Sequence, residues 1–358
     1  MNSLKTVIVG AGICGLYLAW KLSQRGYNVT VFEKKEKIGK QACSGLFSER
    51  ILEFIPDSEK LIQNKIDSVL IHFPRRTIKI KFSKRFLVMS HFELDNLVAG
   101  LAAASGAKII LNHPVNSLPE GFSRIIGCDG PDSVVRKSLG LENPAFRLAI
   151  QGFIPVKEDK FSFSPFTAAR VKEDYSPTED LSEVKKKEFS SSFVETWPVK
   201  NGFIWKIPRG KEVEEDKSSS SPFANAQVTE YGIIANPHEA KNIFEDFLAK
   251  NRIFLSRMTA AIVPQGFIIP KNSLITLCGD ATGLTKPWSG GGVIWGLMSS
   301  EILLKNFPDF LKYQKELKKF FLPKIILSGI ATKMAYFLGL NLPWFLPKNV
   351  TIEGDFLI

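Results

Sequence analysis

The stretch from residue 5 to residue 33 constrains the fold more than any other part of the chain. Residues 5–9 are a nearly continuous run of β-favouring side chains, which is typical of a buried parallel strand. The sequence G-A-G-I-C-G follows at residues 10–15, then a predicted helix, and then a second strand over residues 28–32 that ends at Glu33. This order of strand, glycine turn, helix, strand and acid predicts a βαβ unit that binds a dinucleotide.

The conspicuous residues of this unit have distinct expected roles. Gly10 permits the tight turn, Gly12 lets a pyrophosphate approach the backbone, and Gly15 lets the helix pack closely on the strand. Free N–H groups at the helix N-terminus favour phosphate there. Glu33 can accept hydrogen bonds from an adenosine ribose, and its charge disfavours a 2′-phosphate. Lys34 follows directly, and we include it in the predicted cofactor site.

Composition narrows the class of protein. The 358 residues are enough for two or three domains, and the net charge of +11 allows an acidic protein partner, anionic lipid headgroups or phosphorylated substrates. No nucleic-acid-binding motif accompanies that charge. The four cysteines lack metal-type spacing, so we predict no metal site and a reducing compartment. Because the first strand begins within a few residues of the start, we expect no signal peptide and a cytoplasmic protein.

Two later strand ends have a similar character. The apolar strand over residues 124–127 leads to Asp129 and Gly130, and another over residues 274–278 leads to Gly279 and Asp280. Three glycines then precede a helix: Gly290, Gly291 and Gly292. An aspartate at such a strand end could hold a sugar-like polyol, and bare glycine backbone would let a flat ring lie on it.

Together and in this order, the three segments resemble the FAD-binding family that includes the aromatic hydroxylases. The resemblance implies that the first segment holds the ADP half of FAD, that Asp129 bridges nucleotide and flavin-chain contacts, and that Asp280 binds the ribitol. NAD dehydrogenases lack the second and third segments. The implied fold class is α/β, with a Rossmann-like three-layer FAD-binding domain, an inserted antiparallel β-sheet substrate domain and a helical C-terminus.

Shorter segments resemble the archaeal-type geranylgeranyl reductases. F-I-W-K-I-P-R-G at residues 203–210 is similar to their Y-x-W-x-F-P-x-G element, G-D-A-T-G-L at residues 279–284 to their flavin-ring segment, and C-S-G-L at residues 43–46 to their cysteine motif. The resemblance implies a reductase of the C=C bonds of geranylgeranyl chains in isoprenoid ether-lipid biosynthesis. The chain would be carried on a diphosphate or a glycerophospholipid. A ferredoxin or a nicotinamide would supply electrons, since no second G-x-G-x-x-G segment is present.

The same resemblance suggests three catalytic residues. Phe203 and Trp205 would face the flavin from the roof of the pocket, and the Trp205 ring could stabilise developing positive charge. Cys43, with Ser44 and Gly45, would lie beside the flavin. We expect the Cys43 thiol to donate a proton, because a thiol of ordinary pKa, about 8.5, stays protonated at neutral pH. Water is the open alternative, with Cys43 then only packing a tight loop.

Alternative functions remain at this stage. The W-x-I-P sequence at residues 205–208 also resembles an element of flavin halogenases, which keeps a halogenase or hydroxylase of an apolar substrate open. A prenyl-lipid escort protein without chemistry is a third class, although escort proteins have a degraded nucleotide site. Phe203, Trp205 and Ile207 have a period of two, so they could simply be the packed face of a strand.

We predict that residues 1–147 and 260–305 form a discontinuous FAD-binding domain, residues 148–259 an antiparallel-sheet substrate domain, and residues 306–358 a C-terminal helical region. Lysines, Asn341 and prolines interrupt the apolar C-terminal stretch, so no run reaches the ~20 residues needed to span a bilayer. We expect these helices to cover the substrate cavity, with a peripheral contact to the inner membrane face as the second interpretation and ordinary packing as the third.

Overall fold

The computed structural model describes residues 4–40, 42–155, 192–211 and 227–352. In chain order, the strands are β1 (Lys5–Val9), β2 (Asn28–Phe32), β3 (Leu46–Ser48), β4 (Asn64–Phe73), β5 (Arg76–Val88), β6 (Lys108–Ile110), β7 (Arg124–Gly127), β8 (Ala145–Pro155), β9 (Phe193–Val199), β10 (Gly202–Lys211), β11 (Gln227–Ala235), β12 (Ser256–Gln265), β13 (Ile275–Leu277) and β14 (Asn349–Ile352). The helices are α1 (Ile13–Gln24), α2 (Ile51–Phe54), α3 (His91–Ala104), α4 (Val134–Ser138), α5 (Ala240–Lys250), α6 (Val293–Asn306) and α7 (Phe310–Asn341).

The first sheet is parallel and carries the predicted dinucleotide turn. Its strand order is β13-β7-β1-β2-β6. Val7 and Ile8 are fully buried on opposite faces of β1, which explains why this strand is an apolar run rather than an alternating one. Helix α1 follows β1 directly, and nearly all of its side chains are buried against the sheet and the neighbouring helices α3 and α6.

The second sheet is larger and mixed. Its strand order is β12-β8-β11-β10-β9-β4-β5-β14, with β3 pairing β5 from the side. Most neighbours are antiparallel, but β4 pairs β9 and β5 pairs β14 in parallel. Phe203, Trp205 and Ile207 belong to one apolar cluster, whereas Ile204 belongs to another. The period of two predicted for β10 is therefore present.

The predicted fold class is confirmed, with two corrections. The alternation of residues 66–89 predicts two strands of a small sheet, but β4 and β5 belong to the same large sheet as β8–β12, and the parallel β4–β9 pair makes that sheet mixed rather than antiparallel. The C-terminal stretch was predicted to be broken, but α7 is one helix of 32 residues with Pro323 inside it. The division into domains stays a prediction.

Helix α7 tolerates Pro323 for a physical reason. A proline within a helix leaves the carbonyl group four residues earlier, here that of Lys319, without its helical partner. Both Lys319 and Pro323 are exposed, so water can reach the freed carbonyl. Asn341 does mark the end of the helix, and Pro343 follows it.

Candidate active site

A single cavity brings the sequence-predicted site residues together. It has a volume of about 540 Å³ and is lined by parts of both sheets, by the loops between them and by α7. The predicted residues that line it are Gly10, Gly12, Glu33, Lys34, Cys43, Ser44, Asp129, Gly130, Phe203, Trp205, Asp280, Gly290, Gly291 and Gly292. Gly15, Gly45 and Gly279 are not part of the lining but lie next to lining residues in the chain.

The first glycine turn is too crowded for side chains. Gly10 has a φ of +102°, and a Cβ there would lie 2.4 Å from the carbonyl oxygen of Cys128. A Cβ on Gly15 would lie 2.1 Å from the carbonyl oxygen of Gly10, so α1 can approach β1 only because both positions are glycine. The Glu33 carboxylate accepts a hydrogen bond of 2.7 Å from the Ala11 N–H, which holds it beside the turn.

Asp129 and Asp280 occupy corresponding strand ends in the first sheet. One Asp129 oxygen accepts from the backbone N–H groups of Val134, at 2.6 Å, and Val135, at 3.1 Å. The other, Oδ1, is buried and has no hydrogen-bond partner within the described residues. Such an acceptor needs a donor, because an unpaired buried polar atom is costly.

Asp280 lies 3.6 Å from the Lys40 ammonium, and a Cβ on Gly292 would lie 2.7 Å from its Oδ1. A side chain at position 292 would therefore fill the space beside this carboxylate. The unpaired oxygen of Asp129, the bare glycines and the Glu33 carboxylate at the first turn are the groups needed to hold a diphosphate, a ribose and a flat ring. The residues present fit FAD.

The segment of residues 42–45, the Cys43 loop, is held from several sides. Gln151 donates to the Cys43 carbonyl at 3.1 Å, and Arg209 donates to the Ser44 carbonyl at 3.2 Å. The N–H of Met89 donates to the Gly45 carbonyl at 2.9 Å. The loop is thereby fixed to β8, β10 and the end of β5, and the Cys43 side chain lines the cavity.

His91 and Asp95 lie beside Cys43, a contact that the sequence analysis did not identify. His91 Nε2 is 3.4 Å from Asp95 Oδ1, and both side chains are buried. Burial alone would lower the pKa of His91, but Asp95 and Cys43 raise it to about 10. Burial alone would raise the pKa of the Cys43 thiol, but His91, Lys40 and the Gly45 N–H lower it below the ordinary value. The ordinary thiol pKa expected from the sequence is therefore wrong for this environment.

The roof of the cavity is formed by β10 and stabilised by a buried ion pair. Trp205 donates its indole N–H to Glu230 at 2.9 Å, and Arg209 Nη1 lies 2.6 Å from the other oxygen of Glu230. Glu230 is fully buried, and burial raises the pKa of its carboxyl even though Arg209 and Trp205 act in the opposite direction. Phe203 stacks on Trp288, with ring centroids 5.9 Å apart.

Away from the cofactor cradle, the cavity is apolar. Its walls there include Val69, Ile71, Phe82, Val194 and Val263 from the second sheet. Ala331 and Ala335 of α7 close one side, and the Tyr336 hydroxyl donates to the Gly202 carbonyl beside them. The prediction that C-terminal residues cover the cavity is confirmed at these positions.

Comparisons with known proteins show which enzymes the chain resembles. Residues 8–53 match the NAD(P)-binding Rossmann-like domain family. Over 327 residues, covering 82% of this chain and 73% of the relative, the chain is 25% identical to digeranylgeranylglycerophospholipid reductase 1 of Methanosphaera stadtmanae. A geranylgeranyl bacteriochlorophyll reductase-like protein from Thermoplasma acidophilum has a TM-score of 0.69 at 19% identity, covering 92% of this chain and 86% of that one. The chain is similar to both reductases over most of its length.

The chain also shares its fold with flavin-dependent halogenases. The halogenase PltM, in its complex with phloroglucinol and FAD, has a TM-score of 0.65 at 16% identity, covering 95% of this chain and 78% of that one. Likeness at this identity establishes the fold alone. The fold therefore does not separate reductase from halogenase, and the residues inside the cavity must do so.

The candidate site contains residues that the sequence analysis missed. Arg209 could have been predicted, because it directly follows Pro208 in the segment that resembles the reductase element. His91 and Asp95 also gave a signal, since their i, i+4 spacing places them on one face of a predicted helix. Arg147, which donates to the carbonyl groups of Pro287 and Trp288, gave none.

Within the described residues, no group of three His, Cys, Asp or Glu side chains is arranged for a metal ion.

Proposed function

We propose that the protein is an FAD-dependent reductase that saturates the C=C bonds of geranylgeranyl chains, carried on a diphosphate or a glycerophospholipid, in isoprenoid ether-lipid biosynthesis. One observation carries the proposal: a single cavity is lined by the glycine and aspartate cradle, by Cys43, and by Phe203, Trp205 and apolar side chains of the second sheet. Burial of the chain there would contribute about 0.8 kcal/mol for each CH₂ group. The similarity to digeranylgeranylglycerophospholipid reductase 1 of Methanosphaera stadtmanae supports the same substrate class.

The chain's own residues would hold FAD as follows. Gly12 would let the pyrophosphate approach the backbone, in the turn that Gly10 and Gly15 make possible. Glu33 would bind the ribose, and Asp129 Oδ1 would accept a hydrogen bond from the cofactor. Asp280 would bind the ribitol, and the bare backbone of Gly290, Gly291 and Gly292 would lie under the flavin ring. When bound and reduced, FAD supplies the hydride.

The protein must also supply a proton and stabilise charge. An isolated trisubstituted alkene has no carbonyl group to accept negative charge, so hydride addition needs a proton delivered to the less substituted carbon. Cys43 is the proposed donor, because its thiol lines the cavity beside the cradle. The face of Trp205, oriented by Glu230, would stabilise partial positive charge on the alkene.

The reductase is favoured over the two alternatives by particular residues. The Cys43 loop places a thiol in the cavity, in accordance with the family's cysteine motif. A prenyl-lipid escort protein needs no cofactor cradle, whereas the glycines and aspartates of the cradle are all in place here. A yellow protein after purification would exclude an escort protein that lacks flavin.

The outer face of α7 supports a peripheral contact with the cytoplasmic face of the membrane. Ile326, Ile330, Met334 and Phe337 lie at helical spacing on this face and are more than half exposed. By length and composition α7 could cross a membrane, and only 11% of its most apolar window is buried. Because the opposite face lines the cavity, we propose that α7 lies on the bilayer and passes lipid into the cavity. A ferredoxin or a nicotinamide would reduce the flavin.

The test is conversion of a defined lipid. Flavin-loaded protein, reduced with dithionite, is incubated with digeranylgeranylglycerophospholipid, and the lipid is analysed by mass spectrometry. A gain of two hydrogen atoms for each reduced bond is expected, and it should be absent without reductant. Unchanged lipid in the presence of fully reduced, flavin-loaded protein would contradict the proposed function. Incubation with halide, oxygen and an aromatic substrate provides the halogenase control.

A further inference from the structure

Two buried side chains near Cys43, those of His91 and Asp95, have no role in the reaction as described above. His91 is the first residue of α3, and Asp95 lies one turn later on the same face. Both side chains line the cavity with Cys43 and are almost completely shielded from solvent. A buried histidine and aspartate facing a thiol are more than packing requires, because burying each charged group is costly.

Asp95 fixes the imidazole. Its Oδ2 accepts a hydrogen bond of 3.1 Å from the Lys40 backbone N–H, and its Oδ1 faces His91 Nε2 at 3.4 Å. The other ring nitrogen, Nδ1, is buried and has no hydrogen-bond partner within the described residues. The Cys43 side chain lines the same cavity as this ring, and the charge on the ring lowers the pKa of the thiol.

The charged groups around the Cys43 thiol come from three parts of the chain. His91 and Asp95 come from α3, and Lys40 comes from the loop after β2. Asp280, which follows β13, lies 3.6 Å from the Lys40 ammonium and partly offsets its positive charge. The net field lowers the pKa of the thiol, because His91 and Lys40 are cations and Asp95 is already engaged with the imidazole and the Lys40 N–H.

We propose that His91 is a positioning residue for Cys43, that Asp95 holds the imidazole in its charged form, and that the Cys43 thiol delivers its own proton to the substrate alkene. The inference rests on the proposed function. In the step, an S–H bond breaks and a C–H bond forms as the alkene accepts the hydride. The thiolate left behind is stabilised by the His91 imidazolium and Lys40. Cys43 then recovers its proton from water entering the cavity.

A thiol beside an imidazolium is a better proton donor than an isolated buried thiol. A buried thiol alone is a weak acid, because desolvation disfavours its thiolate. An adjacent imidazolium lowers the energy of the thiolate, so proton transfer from sulfur to carbon becomes less costly. The Cys43–His91–Asp95 group therefore strengthens the acid without placing another titratable side chain against the alkene.

The test is the pH dependence of Cys43 alkylation in the purified holoprotein. Iodoacetamide reacts with thiolates, and peptide mass spectrometry distinguishes Cys43 from Cys14, Cys128 and Cys278. In the wild-type protein, the midpoint should lie below the ordinary thiol value of about 8.5. His91→Gln should raise it by about one pH unit or more, and Asp95→Asn should raise it in the same direction. His238→Gln, which changes an exposed histidine, should leave it unchanged.

A wild-type midpoint at or above the ordinary value would overturn the proposal, as would an unchanged midpoint in both variants. The flavin content shows whether each variant is folded. If His91→Gln does not fold, the alkylation midpoint of Asp95→Asn decides the proposal. In the second arm, His91→Gln should slow single-turnover oxidation of the reduced protein by lipid about tenfold or more. If wild-type reduced protein does not react with the lipid at all, the proposed function fails, while the alkylation result still decides the status of the pair.

Discussion

Gly232 on β11 lies opposite Trp205 on β10, so close that a Cβ at position 232 would be 2.2 Å from the indole Cζ2. The absent side chain leaves room for the indole against the neighbouring strand, where its N–H reaches Glu230. Glu230 also binds Arg209, which in turn donates to the carbonyl of Ser44. The aromatic roof and the Cys43 loop are thereby joined by one continuous series of contacts.

We expect Gly232→Ala to displace the Trp205 ring and to destabilise the protein by about 1–3 kcal/mol, because the new methyl group overpacks a buried site. Binding of the isoprenoid chain should weaken as well. Gly100→Ala is the matched control, since a Cβ there meets no atom within 4 Å and alanine favours a helix. Urea unfolding measures the change in stability, and lipid titration measures the change in binding of the isoprenoid chain. Equal stability of the two variants would mean that the Trp205 position is not constrained by Gly232.

Local patterns in the sequence predict much of the first sheet and the cradle. Strands β1 and β2 begin and end at the predicted residues, because their apolar runs and glycines are local signals. The Gly232–Trp205 contact and the contact of His91 with Cys43 join residues far apart in the chain, and neither has a local signature. The parallel pairing of β4 with β9 joins strands more than a hundred residues apart and was missed for the same reason.

Asp280→Ala should weaken FAD binding by about ten- to a hundredfold, since a hydrogen bond to a charged group contributes about 1.5–3 kcal/mol. The purified variant should be pale or colourless. Asp246→Ala, at an exposed position on α5, is the control and should retain the flavin. Flavin absorbance per protein and equilibrium titration of the apoprotein provide the measurement. Undiminished occupancy in Asp280→Ala would refute the ribitol assignment.

Cys43→Ala should retain FAD and bind lipid, yet reoxidation of its reduced flavin by lipid should slow by about a hundredfold or more, because the donor thiol is gone. Cys43→Ser should be similarly slow, since a hydroxyl group is a much weaker acid than a thiol. Stopped-flow absorbance under anaerobic conditions follows the single turnover. A near-normal rate in the alanine variant would show that water supplies the proton instead.

Glu195 should make stability depend on pH in the acid range. Burial alone would raise the pKa of this carboxyl, but His72, at 2.9 Å, and Lys206, at 2.7 Å, lower it to about 2. A depressed carboxyl pKa contributes stability above the unfolded value, about 4.5, and loses it as the pH falls toward 2. Glu195→Gln should therefore cost about 3 kcal/mol at neutral pH and almost nothing near pH 2. Urea unfolding at several pH values tests this, with exposed Glu245→Gln as control.

Phe337→Glu, on the outer face of α7, should reduce binding to vesicles that contain anionic phospholipid, because it places a charge where an apolar side chain would enter the headgroup region. Phe337 is 59% exposed, and the basic residue Lys333 lies one turn away. Phe254→Glu is the matched control, since Phe254 is 87% exposed but lies outside α7. Vesicle co-sedimentation measures binding, and reduction of detergent-dispersed lipid should be unchanged in both variants. If both variants sediment like the wild type, the contact lies on another surface.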